Sequence, residues 1–181
     1  ATINPKQLYA ATKISNEIMA SSYSNLYNMR ITGLRYFTVY GPWGRPDMAI
    51  FSFVQNLFKN KKINIYNQGN HHRDFSYVED IVDGTKKILF CKKKFFKKNF
   101  NIFNIGNNNP IKLLKLIELI ESLIGKKFNK KYLAMQKGDV HGTYSDIKKI
   151  QSVIKFKPKT NIESGLKKFI TWYKDYYKIL S

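Results

Sequence analysis

Helical and strand-like hydrophobic patterns alternate along the whole chain. Apolar positions at helical spacing predict an amphipathic helix over 8–27, and the β-branched and aromatic run 31–41 predicts a buried strand that ends at Gly41-Pro42. The same reasoning predicts the remaining elements, which are helices over about 47–60, 78–90, 109–125, 146–153 and 161–179, and strands over about 63–67, 100–106 and 130–135. This alternation is typical of an α/β protein.

Two of the predicted helices carry end signals. Asp47 is placed to cap the helix that starts there, since a carboxylate at this position accepts hydrogen bonds from free backbone N–H groups. Pro110 falls near the first turn of the helix over 109–125, and Gly125 follows its last turn. We find neither an internal repeat nor a linker that would separate independent domains.

The composition indicates a folded domain from a reducing compartment. With 181 residues, of which 43% are hydrophobic and 15% aromatic, the chain has room for one domain with a hydrophobic core, despite a formal net charge of +20. Its single cysteine, Cys91, excludes an intramolecular disulfide. No apolar run approaches the roughly 18–20 residues of a membrane span, and the first residues lack a signal-peptide pattern. We therefore expect a cytoplasmic protein without a membrane partner.

The excess of positive charge does not by itself indicate a nucleic-acid partner. Only four of the 32 basic residues are arginine, whereas lysine and asparagine occur throughout the chain. A bias of that kind is typical of codon drift in an AT-rich genome. The densest run, CKKKFFKKNF at 91–100, alternates lysines with aromatic rings that could stack on bases, but a helix end with solvated lysines is the commoner origin of such a run. We expect no nucleic-acid partner.

Tyr9 and Lys13, in the stretch QLYAATKISNE, are the first candidates for chemistry. Positions four apart lie on one face of a helix, so the hydroxyl and the ammonium can face the same cleft. A nearby ammonium favours the phenolate, and a phenolate could take a proton from a hydroxyl group. The spacing alone is also compatible with an ordinary lysine-bearing helix surface. The chain contains no glycine-rich turn, such as G-x-x-G-x-x-G, of the type that holds a nucleotide pyrophosphate.

Five motifs place this pair in a wider pattern. LYAATK is followed by LRYFTVYGPWGRPDMA (34–49), YNQGNHHRDFSYVEDIVDG (66–84), FNIGNNNPIKL (103–113) and MQKGDV (135–140). Together they resemble the extended short-chain dehydrogenase/reductase family of nucleotide-sugar epimerases and dehydratases, and within it the bacterial UDP-glucuronate 4-epimerases. The likeness runs almost from end to end of the chain, but it covers only the C-terminal half of the family pattern.

The resemblance implies an α/β fold made of the C-terminal part of a Rossmann-like NAD(P)-binding fold and a small α/β nucleotide-sugar-binding domain. Residues 1–45 would form the end of the Rossmann-like domain, and 46–181 would be mostly substrate-binding domain, interleaved with the last Rossmann elements. The family's glycine-rich turn, and the Ser or Thr that hydrogen-bonds the reacting hydroxyl, would lie upstream of Ala1. Family members usually dimerise through the helix that bears the tyrosine, which implies a homodimer or a complementary N-terminal chain as partner.

The resemblance also implies a reaction. In the family, the tyrosine of Tyr-x-x-x-Lys removes the proton of the sugar 4-hydroxyl while NAD takes the C4 hydride, and the lysine holds the nicotinamide ribose. Those catalytic and cofactor-binding roles fall on Tyr9 and Lys13. The 4-keto sugar turns and receives the hydride on its opposite face. UDP-glucuronate would thus become UDP-galacturonate, a precursor for surface polysaccharide, without net oxidation.

Four further residues match substrate-binding positions of the family. Thr38 would lie near the sugar, and Arg45 would meet its carboxylate, because a guanidinium offers a planar fork of two donors. Arg73 would bind the UDP diphosphate and Asp139 the uridine ribose. From the residues alone, Arg45 could instead be a loop arginine in solvent, and Asp139 a helix cap or turn residue.

The neighbouring residues His71 and His72 look like a metal pair, but no carboxylate or cysteine at ligand spacing supports a metal site. We therefore interpret both as ordinary loop residues and expect no bound metal. Asp74 and Asp80 are expected to fix this loop and to cap the helix that follows it.

Two alternatives to a glucuronate epimerase remain open. Another epimerase, dehydratase or decarboxylase of the same family would share Tyr9 and Lys13, so the identity of the product is needed to separate these enzymes. A chain that lacks the glycine-rich half could also be non-catalytic, as a truncated or split-gene product.

Overall fold

The computed structural model describes residues 5, 7–92, 94, 96, 98–136 and 139–179. Within these ranges, six α-helices alternate with eight short β-strands. The helices are α1 (Leu8–Tyr27), α2 (Ala49–Phe58), α3 (Val78–Leu89), α4 (Leu113–Ile124), α5 (Lys148–Ile154) and α6 (Ile162–Tyr176). The strands are β1 (Ile31–Tyr36), β2 (Thr38–Tyr40), β3 (Ile63–Tyr66), β4 (His72–Arg73), β5 (Phe75–Tyr77), β6 (Phe100–Ile105), β7 (Ile111–Lys112) and β8 (Lys130–Leu133), and a 3₁₀ turn covers Asn67–Gly69.

Most strand pairs are parallel, which requires crossover connections between the paired strands. β1 pairs with β6 along its whole length, from Ile31 opposite Phe100 to Tyr36 opposite Ile105. β2 pairs with β5 and β3 pairs with β8 in the same sense, whereas the short pair of β4 and β7 is antiparallel. Helices separate the strands of the longer pairs in sequence, so the predicted α/β class is confirmed.

Two hydrophobic cores lie on the two sides of β2. The larger core packs α2, α4 and α6 against β3 and β5, and its fully buried side chains include Val54, Ile65 and Leu116. The smaller core packs α3 and α5 against β6. Successive side chains of a strand point to opposite faces, and in β2 Tyr40 belongs to the larger core whereas Val39 packs against the smaller one.

The carboxylate of Asp74, directly after β4, ties three segments together inside the protein. It is fully buried and accepts hydrogen bonds from the backbone N–H groups of Asn107 at 3.1 Å, Asn108 at 3.0 Å and Ser145 at 2.9 Å. The Ser145 hydroxyl donates a fourth. The loop after β6 and the segment before α5 are thereby fixed against β4, which confirms the prediction that Asp74 fixes its loop.

The predicted helix caps at Asp47 and Asp80 are not formed. Asp80 lies in the first turn of α3 and accepts from the backbone N–H of Thr160 at 2.9 Å, which ties α3 to the segment before α6. Asp47 pairs with Arg45, and the residue that precedes α2, Met48, has no side-chain cap. The cap prediction is therefore wrong, because each carboxylate is engaged by a donor outside the helix that it was expected to cap.

The predicted strand over 31–41 is in fact two strands. β1 follows β6 until β6 ends at Ile105, and the chain then continues alongside a new partner, β5. The division falls at Phe37, whose backbone N–H still donates to the Ile105 oxygen at 3.2 Å. β5 itself, like β4, lies in a stretch that the sequence pattern predicted as loop.

The helix predicted over 109–125 begins only at Leu113, because the preceding β7 pairs with β4. Pro110 therefore precedes a strand and not a helix. Gly125 ends α4 in a left-handed conformation, as its position after the last helical turn predicts.

One side of the protein lacks a covering layer among the described residues. Of the 20 residues of α1, only Ser24 is buried. The edge of β1 opposite β6 has no strand partner in the described ranges. No helix of those ranges, α1 included, combines the length and the apolar content that a membrane crossing requires. Several large apolar side chains of α1 are exposed, namely Leu8, Ile18, Met19, Tyr23, Leu26 and Tyr27.

Glu121 is a buried carboxylate of α4 whose ionisation is linked to stability. It accepts from the Phe128 backbone N–H at 2.8 Å and pairs with Lys130 at 2.8 Å and Lys127 at 3.2 Å. Burial alone raises the pKa of this carboxyl, but the three partners outweigh burial and hold the pKa below its usual value of 4.5.

Replacing Asp74 with asparagine keeps the size of the side chain but removes its charge and turns an NH₂ group toward N–H donors. We expect Asp74→Asn to lower the free energy of unfolding by about 3 kcal/mol, measured by chemical denaturation at neutral pH. Asp83→Asn is the matched control, because Asp83 is exposed on α3 and pairs with Lys87 across one helical turn. A control variant that loses as much stability as Asp74→Asn would contradict the role given to Asp74.

The lowered pKa of Glu121 predicts a stabilisation that is present above pH 4.5 and lost as the pH falls through the folded-state pKa. In chemical unfolding across this acid range, the free energy of unfolding of Glu121→Gln should change less with pH than that of the wild type. Glu118→Gln, on the exposed face of the same helix, should keep the wild-type slope. Equal slopes for Glu121→Gln and the wild type would refute the linkage.

Candidate active site

Tyr9 and Lys13 lie one turn apart near the start of α1, as predicted. The Lys13 ammonium nitrogen is 5.2 Å from the centre of the Tyr9 ring, a distance at which a cation interacts favourably with an aromatic face. Both side chains line an open groove of about 780 Å³ between α1 and β1, which we name the α1 groove. Tyr9 is mostly exposed, so its hydroxyl is accessible to a ligand in this groove.

A second cavity, of about 730 Å³, brings Tyr9 together with Thr38 and Arg45, and we name it the Arg45 cavity. Asn104 and Thr143 also contribute polar groups to its lining. Thr38 reaches this position because it is the first residue of β2, where the chain leaves β6 to pair with β5. Three residues from two separate sequence motifs are thus neighbours around one cavity.

The loop between β2 and α2, which carries Arg45, is anchored on α6. Gly41 adopts a φ of 144°, and a Cβ there would lie 2.5 Å from the first side chain of α3, so only glycine fits. Trp43 has a φ of 62°, in the left-handed region that bulky residues avoid. Its ring packs on Trp172 and Tyr176 of α6, with ring centres 5.5 and 5.0 Å away, and these contacts offset the backbone strain.

Arg45 holds a carboxylate in the structure. Its Nε and Nη2 atoms donate to the two carboxylate oxygens of Asp47, at 3.1 and 2.5 Å. These hydrogen bonds lower the pKa of Asp47 and raise the pKa of Arg45. Both side chains are largely exposed, so the contact adds little stability. The guanidinium is therefore accessible and adopts the two-point geometry in which arginine binds carboxylates.

A third cavity, of about 410 Å³, is lined by Arg73 and Asp139, and we name it the Arg73 cavity. Nη2 of Arg73 donates to the Asp139 carboxylate at 2.8 Å, and Nη1 donates to the backbone oxygen of His72 at 3.1 Å. Asp139 also accepts from the backbone N–H of Val140 at 2.8 Å, which is a turn contact and not a helix cap. Further polar lining residues are Asp47, Ser52, Asn56, Lys62, Asn64, Tyr66 and His71.

The Arg45 and Arg73 cavities meet at the loop 45–48. Arg45 and Met48 line the first cavity, and Asp47 lines the second. From the α1 groove to the Arg73 cavity, the protein therefore presents three sets of polar groups. They are the phenol of Tyr9 with the ammonium of Lys13, the guanidinium of Arg45, and the guanidinium of Arg73 with the Asp139 carboxylate. An elongated ligand with two separated anionic groups matches this series of side chains.

His71 lies in the loop before β4, as the sequence predicted, but its side chain is buried, which the sequence did not predict. It is only 5% exposed and lines the Arg73 cavity, with Nε2 3.3 Å from Oδ2 of Asp139. Its backbone oxygen accepts from the Leu113 N–H at 2.9 Å, which fixes the residue against the start of α4. The hydrophobic pattern does not predict this burial, and the one available signal is that His71 stands two residues before Arg73. His72, by contrast, is exposed and is the first residue of β4, so its interpretation as a loop residue is wrong.

The sequence did not predict that Asn104 and Thr143 line a cavity, because neither residue belongs to a recognisable catalytic pattern. They come from the end of β6 and from the segment before α5, which Asp74 draws together. Within the described ranges, no group of three or more His, Cys, Asp or Glu side chains is placed to hold a metal ion.

Comparison with known proteins identifies the family. The pattern described as "NAD dependent epimerase/dehydratase family" matches residues 1–106, which is more than half of the chain. The chain belongs to the NAD-dependent epimerase/dehydratase family. The predicted family is thereby confirmed.

Relatives of this family member include proteins with assigned names. The protein CapI of Staphylococcus aureus is 45% identical, over 97% of this chain and 56% of CapI. The UDP-glucuronate 4-epimerase 5 of Arabidopsis thaliana is 41% identical, over 97% of this chain and 43% of that enzyme. The chain thus spans about half the length of the curated relatives that it matches.

A solved structure supports the fold. The crystal structure of the UDP-glucuronic acid 4-epimerase from Bacillus cereus, in complex with UDP-glucuronic acid and NAD, superposes with a TM-score of 0.89 at 32% identity. The match covers 96% of this chain and 55% of that one. The predicted relation to the Rossmann-like fold is confirmed, whereas the division at residue 45 and the individual roles of Tyr9, Lys13, Thr38, Arg45, Arg73 and Asp139 stay predictions.

The side chains present fit one end of the NAD that the family uses. In the α1 groove, the Tyr9 hydroxyl and the Lys13 ammonium provide hydrogen-bonding groups of the kind that ribose hydroxyls need. The pyrophosphate end is different, since the sequence contains no glycine-rich turn whose backbone N–H groups could approach phosphate. The α1 groove therefore offers hydrogen-bonding groups for a ribose of the cofactor but none of the type that holds its pyrophosphate.

Proposed function

We propose that the protein takes part in the NAD-dependent epimerisation of a UDP-sugar at C4, with UDP-glucuronate and UDP-galacturonate as the sugar pair. One observation carries this proposal: Tyr9, Thr38 and Arg45 line one cavity, and Arg45 binds the carboxylate of Asp47 through two hydrogen bonds. A sugar that carried its own carboxylate would replace Asp47 on this guanidinium. The names of the Arabidopsis and Bacillus cereus proteins support the same sugar.

The adjoining Arg73 cavity fits the nucleotide portion of such a substrate. Arg73 would bind the diphosphate with its planar fork, which a lysine ammonium could not reproduce. Asp139, which contacts Arg73, would accept hydrogen bonds from the hydroxyls of the uridine ribose. Arg45 lines one of the two cavities that meet at the loop 45–48, and Arg73 lines the other, so each anionic group of UDP-glucuronate would meet its own guanidinium.

The chemistry assigned to this chain is proton transfer. Tyr9, which lies beside the ammonium of Lys13, takes the proton from the sugar 4-hydroxyl, and Thr38 helps to hold the sugar next to it. When bound, NAD supplies the acceptor and later the donor of the C4 hydride. Loss of the proton and the hydride gives a 4-ketone, and return of both to the sugar, with the hydride on the opposite face, gives the epimer without net oxidation.

We further infer that additional polypeptide covers α1 and the free edge of β1. The exposed apolar side chains of α1 and the unpaired strand edge would otherwise lie in water. That polypeptide, from a longer form of the same chain or from a complementary chain, would supply the glycine-rich turn. We place the protein in the cytoplasm and in the synthesis of polysaccharide precursors, because a single cysteine fits a reducing compartment and UDP-uronates serve as such precursors.

The full natural protein should convert UDP-glucuronate to UDP-galacturonate in the presence of NAD. Tyr9→Phe should lower the turnover rate by about a thousandfold, because phenylalanine cannot accept or return a proton. Product formation is measured by nuclear magnetic resonance of the sugar protons. Tyr23→Phe, on the exposed side of the same helix, should keep wild-type turnover. A fully active Tyr9→Phe variant, or a product other than UDP-galacturonate, would overturn the proposal.

Arg45→Lys tests the sugar carboxylate. Lysine keeps the charge but loses the two-point grip, so the KM for UDP-glucuronate should rise by about tenfold. The affinity for UDP-glucose, which lacks the carboxylate, should stay at the wild-type value in calorimetric titration. Arg30→Lys serves as control, since Arg30 stacks on the ring of Phe96 and lines none of the three cavities. If Arg45→Lys weakened the binding of UDP-glucuronate and UDP-glucose equally, the result would argue against a contact between Arg45 and the sugar carboxylate.

A further inference from the structure

His71 presents a buried and incompletely bonded nitrogen to the Arg73 cavity. The residue is 5% exposed, and its Nε2 makes no well-aligned hydrogen bond to any residue that the structure describes. The nearest charged atom is Oδ2 of Asp139, at 3.3 Å. A buried ring nitrogen without a satisfied partner is costly, so its place beside a ligand cavity calls for a functional explanation.

The Asp139 carboxylate lies between His71 and Arg73. Its Oδ1 accepts from Arg73 Nη2 and from the backbone N–H of Val140, each at 2.8 Å. Its Oδ2 faces His71. Since the Asp139 side chain is 28% exposed, its charge needs a nearby cation or donor, and in the absence of ligand Arg73 provides it.

A diphosphate at Arg73 would compete with Asp139 for the same guanidinium. Nη1 of Arg73 also donates to the backbone oxygen of His72. A two-point contact of the guanidinium with phosphate uses either Nε with Nη2 or Nη1 with Nη2, so in both cases it includes Nη2, the atom that now donates to Asp139. When Arg73 binds the phosphate, the Asp139 carboxylate loses Arg73 as its paired cation. His71 is the next group within reach of it.

We propose, building on the nucleotide site assigned above, that His71 is a positioning residue of the Arg73 cavity: its imidazolium takes over the Asp139 carboxylate when Arg73 binds the diphosphate of a nucleotide sugar. The His71 imidazole thus keeps the Asp139 carboxylate in position to bind the ribose. Arg73 no longer pairs with Asp139 and can bind the phosphate. The role follows from the shared carboxylate and from the fixed backbone of His71 at the start of α4.

The surrounding groups set the direction of the pH effect. Burial lowers the pKa of His71, Asp139 raises it, and Arg73 and His141 lower it again. Asp47, Lys62 and Tyr66 are the other titratable groups that line the cavity. When phosphate neutralises Arg73, Asp139 is left to raise the pKa of His71. The complex therefore takes up a proton, so affinity increases as the pH falls through the pKa of the bound state and levels off below the pKa of the free state.

The test is calorimetric titration of the full natural protein with UDP-glucose, whose diphosphate keeps a constant charge over the range used. Between about pH 8 and about pH 5, the affinity of the wild type should rise about fivefold. His71→Gln should bind with the affinity that the wild type shows at high pH, without this rise. The controls His72→Gln, at the exposed neighbour, and His141→Gln, at the other nearby imidazole, should keep the pH dependence.

A second measurement covers the case of a variant that does not fold. In the wild-type protein, nuclear magnetic resonance titration of the imidazole signals should show that UDP-glucose raises the pKa of His71. An affinity of the wild type that does not change with pH, a pH dependence that persists in His71→Gln, or an unchanged pKa of His71 would each overturn this inference alone. Absence of UDP-glucose binding at every pH would instead refute the nucleotide site of the proposed function.

Discussion

A single buried charge, the carboxylate of Asp74, holds the candidate site together. A carboxylate inside a protein is costly unless donors surround it, and here three backbone N–H groups and a hydroxyl do so. Thr143 adds its hydroxyl oxygen as acceptor for the Asp74 N–H, at 3.3 Å. Arg73 directly precedes Asp74, and Asn104 lies just before the loop that donates to it. Residues of both the Arg73 cavity and the Arg45 cavity thus keep their places through this one carboxylate.

Arginine and lysine have different places in this basic protein. Lysines account for most of the formal charge, whereas each arginine of the structure meets a planar partner. The four pairs are Arg30 with the Phe96 ring, Arg35 with Glu17, Arg45 with Asp47 and Arg73 with Asp139. A lysine ammonium is a point charge and could not reproduce the two-atom contacts that the Arg35 and Arg45 guanidinium groups make. The geometry of the guanidinium, more than the sum of charge, therefore explains why arginine and not lysine stands at these four positions, two of which, Arg45 and Arg73, are candidate ligand-binding positions.

The sequence predicted those features that depend on local periodicity and failed where distant segments meet. α1 and the pair Tyr9 and Lys13 were predictable, because one helical turn brings the two side chains together. β7 was not, since its strand conformation comes from pairing with β4, on the other side of α3 and β6. The burial of His71 was not predicted for the same reason: it results from contacts with the start of α4 and with Asp139, and neither is adjacent to His71 in sequence. The motif resemblance located Arg45 and Asp139, but the neighbours Asn104 and Thr143 emerge only from tertiary packing.

Trp43 connects the loop of Arg45 to the last helix of the chain, far from it in sequence. The contact is aromatic and lies outside the lining of all three cavities. Two proteins with identical cavity residues could therefore present the guanidinium differently if the aromatic surface of α6 differed between them. The presentation of Arg45 to its proposed ligand would then depend on α6, which gives protein engineers a place to alter selectivity without altering the cavity residues.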